Sequence, residues 1–310
     1  MRTVLAGDLG GTKCRFALVS ADYAVHRVQQ VPTVRERAAF LDRLERAMRS
    51  ILQDLPPGLE APVAAGFGTA GVIPLDGGSI SRAPNLPLDG FPLAQHVRDR
   101  FGIPVTLLND GRASAWGEYL RGNAKGLDPL LCLFFGTGIG IGLIVEGKPY
   151  AGAANAAGEI GHTVFRPGGR PCPCGGTGHF ESYCGGRAIT ERATNELGAR
   201  AGGWTVGSVV QHAGAGAPTS PLAQAIVDDA AEAAIAVTAN ACTLLNPAAV
   251  VLGGGVISGW PGLEQRLIDG VRAATTPMIH ERLVFAHSLA GSDAILWGAA
   301  AATGALWPRP

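Results

Sequence analysis

FFGTGIGIGLIVEGK, residues Phe134 to Lys148, is two β-rich apolar runs around a cluster of glycines. Its composition predicts a strand, a tight Gly/Thr turn and a second strand. At such a turn Gly136, Thr137, Gly138 and Gly140 can bring backbone N–H groups against an anion, because glycine has no Cβ to hold a ligand away. A branched side chain at Gly138 is therefore expected to harm phosphate binding selectively. The chain opens with the same pattern. In GDLGGTKCRFALVS, Gly10 and Gly11 separate the apolar runs Thr3 to Asp8 and Cys14 to Ser20. Two matched openings read as an internal duplication. Turns facing each other from two such halves would clamp a phosphate chain, as a bilobal kinase does.

Length and composition set the outer bounds. A chain of 310 residues is long enough for two domains, since single cores stop growing near roughly 250 to 300 residues. The expected division is a small α/β lobe over 1–120 and a larger one over 121–310, with the C-terminal helix free to return to the small lobe. Lys plus Arg and Asp plus Glu are 25 each, so no basic field exists to hold a nucleic acid or an anionic membrane. The N-terminus has no long apolar segment with a cleavage site, and no run of about 18 apolar residues occurs, which makes the cytoplasm the expected location. Cys14, Cys132 and Cys242 lie in apolar runs and Cys172 and Cys174 carry metal spacing, so reduced thiols are expected.

Between the two openings, Ala24 to Val31 extends the first meander, and Thr33 with Glu36 has the spacing of a capping box. Phe40, Leu41, Leu44, Met48, Ile51, Leu52 and Leu55 recur at helical spacing before Pro56 and Pro57 stop the helix. A strand over Ala61 to Gly68, a long Gly/Pro loop, a helix over Leu93 to Phe101 and a strand over Val105 to Asn109 follow. Asp110 then sits where a strand gives way to a helix. After the second opening, helices are expected over Arg187 to Leu197, Pro221 to Leu245, Pro261 to Thr275 and Asp293 to Ala305. A polar bend near Ala213 to Ser220 and a strand over Val250 to Leu252 lie between them.

The chemistry-bearing residues each have a structural alternative. Asp8 can hold magnesium through water, the Gly10 and Gly11 amides and Thr12 can bind phosphate oxygens, and Lys13 is a possible cation; a plain hairpin turn explains the same residues. Gly253, Gly254 and Gly255 at a strand end would let a flat ring or a phosphate approach the backbone. Asp110 can accept a proton from a sugar hydroxyl while that oxygen attacks the γ-phosphorus, with Asn109 orienting the sugar; alternatively Asp110 is a helix N-cap. Glu159 and His162 are spaced to converge on one small polar ligand. His162, Cys172, Cys174 and His179 suit a closed tetrahedral zinc site, with Cys184 a rival for His179. A buried His beside packed thiols is the alternative. Glu181 is near these ligands, although a lone Glu is commonly only a surface acid.

Taken together, DLGGTK, LNDGRASAWGE, FGTGIGIGLIV with GEIGH, the CPCGGTGHFE segment and VVLGGGV resemble the ROK family of bacterial sugar kinases and sugar-responsive repressors. The resemblance covers the whole chain. It implies the actin-like ATPase (ribonuclease H-like) fold with duplicated α/β halves, ATP bound with magnesium between two lobes, and a hexose near the hinge. Asp110 is then the base, and Asn109, Glu159, His162 and Glu181 touch the sugar. A structural zinc is implied in an insertion at about 159–184, although His179 stands where the family pattern has a last Cys. Family repressors carry a helix-turn-helix ahead of the kinase-like part, and here the DLGG strand starts almost at Met1. The expected activity is an ATP-dependent glucokinase acting on the 6-hydroxyl, as a homodimer. N-acetylhexosamine or fructose as substrate, polyphosphate as donor, and a sugar sensor without turnover are the alternatives.

Overall fold

A computed structural model describes residues 1–53, 55–214, 220–289 and 293–307. The chain starts with β1 (Thr3–Leu9), β2 (Lys13–Ser20) and β3 (Val25–Pro32), an antiparallel meander with Gly10 and Gly11 in its first turn. Helix α1 (Arg37–Gln53) buries Phe40, Leu44, Ala47, Met48 and Ile51 on one face. Its start departs from the expected capping box. The Glu36 carboxylate accepts from Ala38 N–H at 2.8 Å and Ala39 N–H at 2.6 Å, whereas the Thr33 hydroxyl donates to Gly10 O at 2.6 Å. Pairing of β3 with β2 carries Thr33 to the glycine turn, and its hydroxyl bonds there instead. Strand β4 (Pro62–Thr69), α2 (Leu93–Phe101), β5 (Val105–Asn109) and α3 (Asp110–Arg121) follow. Because β4 runs parallel to both β1 and β5, the sheet order is β3-β2-β1-β4-β5.

The second half repeats the plan. Strands β6 (Leu130–Phe135), β7 (Ile139–Val145) and β8 (Lys148–Pro149) lead into a long loop, then α4 (Glu181–Cys184), α5 (Gly186–Leu197), α6 (Val206–Ala213) and α7 (Pro221–Leu245). Strand β9 (Ala249–Gly253), α8 (Gly255–Gly259), α9 (Leu263–Ala274), α10 (Pro277–His280), β10 (Val284–His287) and α11 (Ala294–Ala302) complete the chain. The sheet order is β10-β9-β6-β7-β8, with β9 parallel to both β6 and β10. Read from the β8 side, this is the first sheet again: a three-strand meander whose first strand is followed outward by two parallel strands. The duplication expected from the two glycine turns is present in the topology. Most of the expected bend near Ala213 to Ser220 lies outside the described residues.

Two compact units result, one from Met1–Gly126, Gly142–Ala157 and Gly291–Pro310, the other from Leu127–Ile141 and Gly158–Ala290. In the first, Leu5, Phe16, Phe67, Leu44, Met48 and Ile51 share a core under α1. Helix α11 packs on α3 and β4 within the same unit. The α3–α11 crossing is backbone against backbone: a Cβ on Gly117 would lie 1.9 Å from Ala294 O, and one on Gly298 would lie 1.9 Å from Ala113 O. In the second unit the alanine-rich α7 buries Ala230, Ala231, Ala233 and Ala234 in a core with Leu131, Leu133 and Leu252. Among the described residues no helix is long and apolar enough to cross a membrane.

Candidate functional site

Parallel pairing through β4 points β1 and β5 the same way, so their carboxyl ends share one edge of the first sheet, the edge where α/β sheets bind ligands. Asp8 lies near the end of β1, Asn109 ends β5, and Asp110 is the first residue of α3. The helix cap is Asn109. Its side chain accepts from Arg112 N–H at 3.3 Å and its Nδ2 donates to Gly71 O at 3.5 Å. Asp110 Oδ1 accepts from its neighbour Gly111 N–H at 2.8 Å. The capping duty that sequence alone could assign to Asp110 therefore falls one residue earlier. Burial, and then the charge of Asp110, push the Asp8 carboxyl up to about 6, against the opposing charges of Arg15 and Lys13. Arg15 lies opposite Asp8 across the β1–β2 pair and is held at 2.9 Å by Asp293.

The first glycine turn is tighter than a simple phosphate cradle. Gly10 N–H donates to Lys13 O at 3.1 Å, so that amide closes the hairpin, and Thr12 O accepts from Thr33 N–H at 2.9 Å. Gly11 is crowded from outside, since a Cβ there would come within 2.6 Å of Asn85 Cβ. Lys13 is exposed at the start of β2.

Sequence reasoning missed Arg112 and Asn155. Arg112 is only 5% exposed, and both arms of its guanidinium donate to Asn155, Nη1 to Oδ1 and Nη2 to the backbone O. Asn155 sits at φ 56° and its Nδ2 donates to Ile73 O at 2.8 Å. No periodicity or motif links positions 73, 112 and 155; only the fold brings them together.

In the second unit the β6–β7 turn is docked on α5. Gly136 N–H donates to Gly138 O at 2.9 Å, Gly136 O accepts from Gly186 N–H at 2.8 Å, and Thr137 O accepts from Arg187 N–H at 3.0 Å. Beside this turn is a cavity of about 580 Å³ lined by Gly136, Thr137, Gly186, Arg187, Thr190, Val206, Gly255 and Val256. Of the three consecutive glycines only Gly255 reaches it. Gly253 is buried in β9, and Gly254, at φ 96°, lies where a Cβ would be 2.4 Å from Phe135 O. Gly140 lies within β7 and not in the turn. Gly138 faces a carboxylate: a Cβ there would be 2.2 Å from Glu181 Oε2, which accepts from Ile139 N–H at 3.0 Å.

The loop before α4 gathers soft ligands. One ligand atom from each of His162, Cys172, Cys174 and His179 lies within 4.8 Å of the others. Cys172 Sγ is 3.6 Å from His162 Nδ1 and Cys174 Sγ is 3.2 Å from His179 Nδ1. The edges of a tetrahedron with zinc bonds of about 2.0–2.3 Å are about 3.3–3.8 Å, and two soft nitrogens with two sulfurs are the donor chemistry such an ion takes. His162 Nε2 also lies 3.7 Å from Glu159 Oε2. A carboxylate beside a ligating imidazole is a usual orienting partner. The loop is braced from α7, where Asp229 faces Arg166 at 3.0 Å, Arg170 at 2.9 Å and Arg192 at 2.6 Å.

The ROK family model matches residues 4–305. The chain belongs to the ROK family. Among its relatives, a glucokinase of Streptomyces coelicolor is 35% identical over 199 residues, a match spanning 64% of this chain and 61% of that protein's length. An N-acetylmannosamine kinase of Escherichia coli is 30% identical over 305 residues, covering 96% of this chain and 97% of the relative. The structure of a ROK family glucokinase from Streptomyces griseus in complex with glucose and AMPPNP superposes with a TM-score of 0.73 at 28% identity, over 96% of this chain and 98% of that one. The fold is thus the actin-like ATPase fold of ROK sugar kinases.

Where the ROK pattern has a final Cys, His179 is the residue that lies with His162, Cys172 and Cys174. The rival Cys184 is buried in the second core and its thiol donates to Phe180 O at 3.4 Å. Burial pushes that thiol well above the ordinary range. Glu181 and Cys184 are the first and last residues of α4, with the Glu181 carboxylate beside the β6–β7 turn and Cys184 packed in the core.

Proposed function

We propose that this protein is an ATP-dependent hexose kinase, and in particular a glucokinase that phosphorylates the 6-hydroxyl. The observation that carries the proposal is that Asp8, near the end of β1, and Asp110, directly after β5, stand at the same carboxyl edge of the first sheet. Asp110 takes the proton of the sugar hydroxyl as that oxygen bonds to the γ-phosphorus, the bond to the bridging oxygen breaks, and ADP leaves. Asn109 orients the sugar, together with Glu159, His162 and Glu181. The cavity bounded by Gly136, Thr137 and Gly255 suits a nucleotide. Asp8 is a hard oxygen donor of the kind that magnesium takes, directly or through water, and the ion would neutralise phosphate charge there. Zinc at His162, Cys172, Cys174 and His179 would shape the loop that carries Glu159 and Glu181.

The glucokinase relative and the glucose complex of a family member favour glucose. An N-acetylhexosamine is the second reading, favoured by the N-acetylmannosamine kinase relative that aligns along nearly the whole chain. Cytoplasmic location, a homodimer and a place at the entry of glycolysis belong to the same proposal, the homodimer resting on the family resemblance. The test is coupled product formation on glucose, fructose, mannose and N-acetylhexosamines, each with ATP and with polyphosphate. Fastest turnover on glucose with ATP is expected; preference for an N-acetylhexosamine selects the second reading, and no turnover on any sugar selects a sensor.

A further inference from the structure

We propose that Arg112 and Asn155 are a positioning pair that sets affinity for the sugar by fixing the Gly71–Ile73 backbone around Asn109. The inference rests on the kinase reading only in naming a sugar as the ligand. Asn109 and Asn155 reach the same three-residue stretch, Asn109 through Gly71 O at 3.5 Å and Asn155 through Ile73 O at 2.8 Å. Arg112 joins the two asparagines. Its backbone N–H donates to the Asn109 side chain, and both arms of its guanidinium grip Asn155. A closed circuit results: Asn109, Arg112, Asn155, Ile73, Gly71 and back to Asn109.

The circuit has a chemical consequence for Asn109. An Asn side chain offers two N–H donors and two acceptor lone pairs. One donor faces Gly71 O and one acceptor faces Arg112 N–H, so the amide is locked in one orientation and what remains of its capacity points in a defined direction. A sugar hydroxyl meeting that amide finds it already oriented, and binding does not have to order it. Arginine suits the task better than lysine, because a planar fork can hold the Oδ1 and O of one residue together. Asn155 suits its place as well, since asparagine tolerates the left-handed backbone at φ 56°.

Asn155→Gly is the informative variant. Glycine accepts the same φ and keeps the backbone O for Arg112, while both amide contacts disappear. The sugar KM should rise about tenfold, as expected for groups in one hydrogen-bond network, with kcat within about threefold and the ATP KM within about twofold. Asn155→Asp keeps the acceptor for Arg112 but loses the donor to Ile73 O, and should raise the sugar KM too; Arg112→Lys should behave likewise. A folded Asn155→Gly protein with the wild-type sugar KM overturns the inference. So does a rise shared equally by ATP and matched by a lower melting temperature, which is what a merely structural pair gives. Hydrogen exchange reads the circuit without turnover. Val72 N–H, bonded to Arg82 O at 2.8 Å, should exchange faster in Asn155→Gly, while amides in α1 keep their wild-type rate. Unchanged exchange at Val72 refutes the circuit even if the wild-type protein phosphorylates no sugar, an outcome that would refute the kinase reading separately.

Discussion

Glu181 Oε2 accepts a hydrogen bond from the Ile139 backbone N–H at 3.0 Å, which ties an acid expected to touch sugar to the turn expected to touch phosphate. Gly138 is glycine because that carboxylate occupies the space of a side chain, 2.2 Å from a would-be Cβ. Gly138 is not among the glycines at positive φ, so backbone strain is not the reason. Reading the turn alone, a substitution at Gly138 would harm nucleotide binding and spare the sugar. Contact with Glu181 changes that expectation. Gly138→Ala should weaken both ligands by similar factors, since a methyl group there displaces the Glu181 carboxylate from the turn. Calorimetric titration with glucose and with a non-hydrolysable ATP analogue checks it; loss of nucleotide binding alone would show that Glu181 does not touch the sugar.

Asp110→Asn should lower kcat by about 100-fold to 10,000-fold with little change in sugar affinity, because the amide retains the shape and cannot take a proton. Its melting temperature should stay near wild type, since the cap of α3 is Asn109 and not Asp110. Asn109→Ala should instead cost about 1 kcal/mol of stability. Measuring both variants by kinetics and thermal unfolding separates base from cap, and retention of more than about a tenth of kcat in Asp110→Asn rejects the base.

Asp8 titrates in the fold at about 6, above the ordinary 3.8 that the unfolded chain keeps. The folded state therefore binds this proton more tightly, so the contribution of Asp8 to stability is greatest below the unfolded pKa and is lost as pH rises through about 6. Above that, burying the charge costs on the order of 1–3 kcal/mol. Asp8→Asn should accordingly raise the melting temperature of the ligand-free protein at pH 8 and have little effect at pH 4. Unfolding curves at the two pH values test the sign. If Asp8 holds magnesium, ATP affinity in the wild type should also fall as pH drops through about 6.

About one zinc per chain is expected on elemental analysis, with chelation lowering the melting temperature because metal and loop fold together. Cys172→Ser should release the metal and raise the sugar KM, through His162 and Glu159. Cys184→Ala should keep full zinc content, since that thiol faces the core. Loss of zinc from Cys184→Ala would reverse the assignment of His179.

Sequence alone determined the parts whose physics is local. Apolar runs broken by paired glycines read as strand, turn and strand wherever they occur, and their recurrence at Thr3 and Pro129 announced two like halves. The soft ligands between His162 and His179 are close in sequence, so their convergence could be anticipated from spacing. Tertiary structure decided everything that depends on which backbone groups find partners. Gly10, Gly136 and Gly140 read as anion donors, yet the first two N–H groups close their own hairpins and the third residue lies in a strand. Thr33 left its helix for the glycine turn because strand pairing carried it there. His179 stands in the cluster with His162, Cys172 and Cys174, while Cys184 is packed in the apolar core. The Arg112–Asn155 grip was beyond sequence altogether: a hydrogen bond between residues 43 positions apart leaves no periodic trace, and only the folded chain sets them face to face.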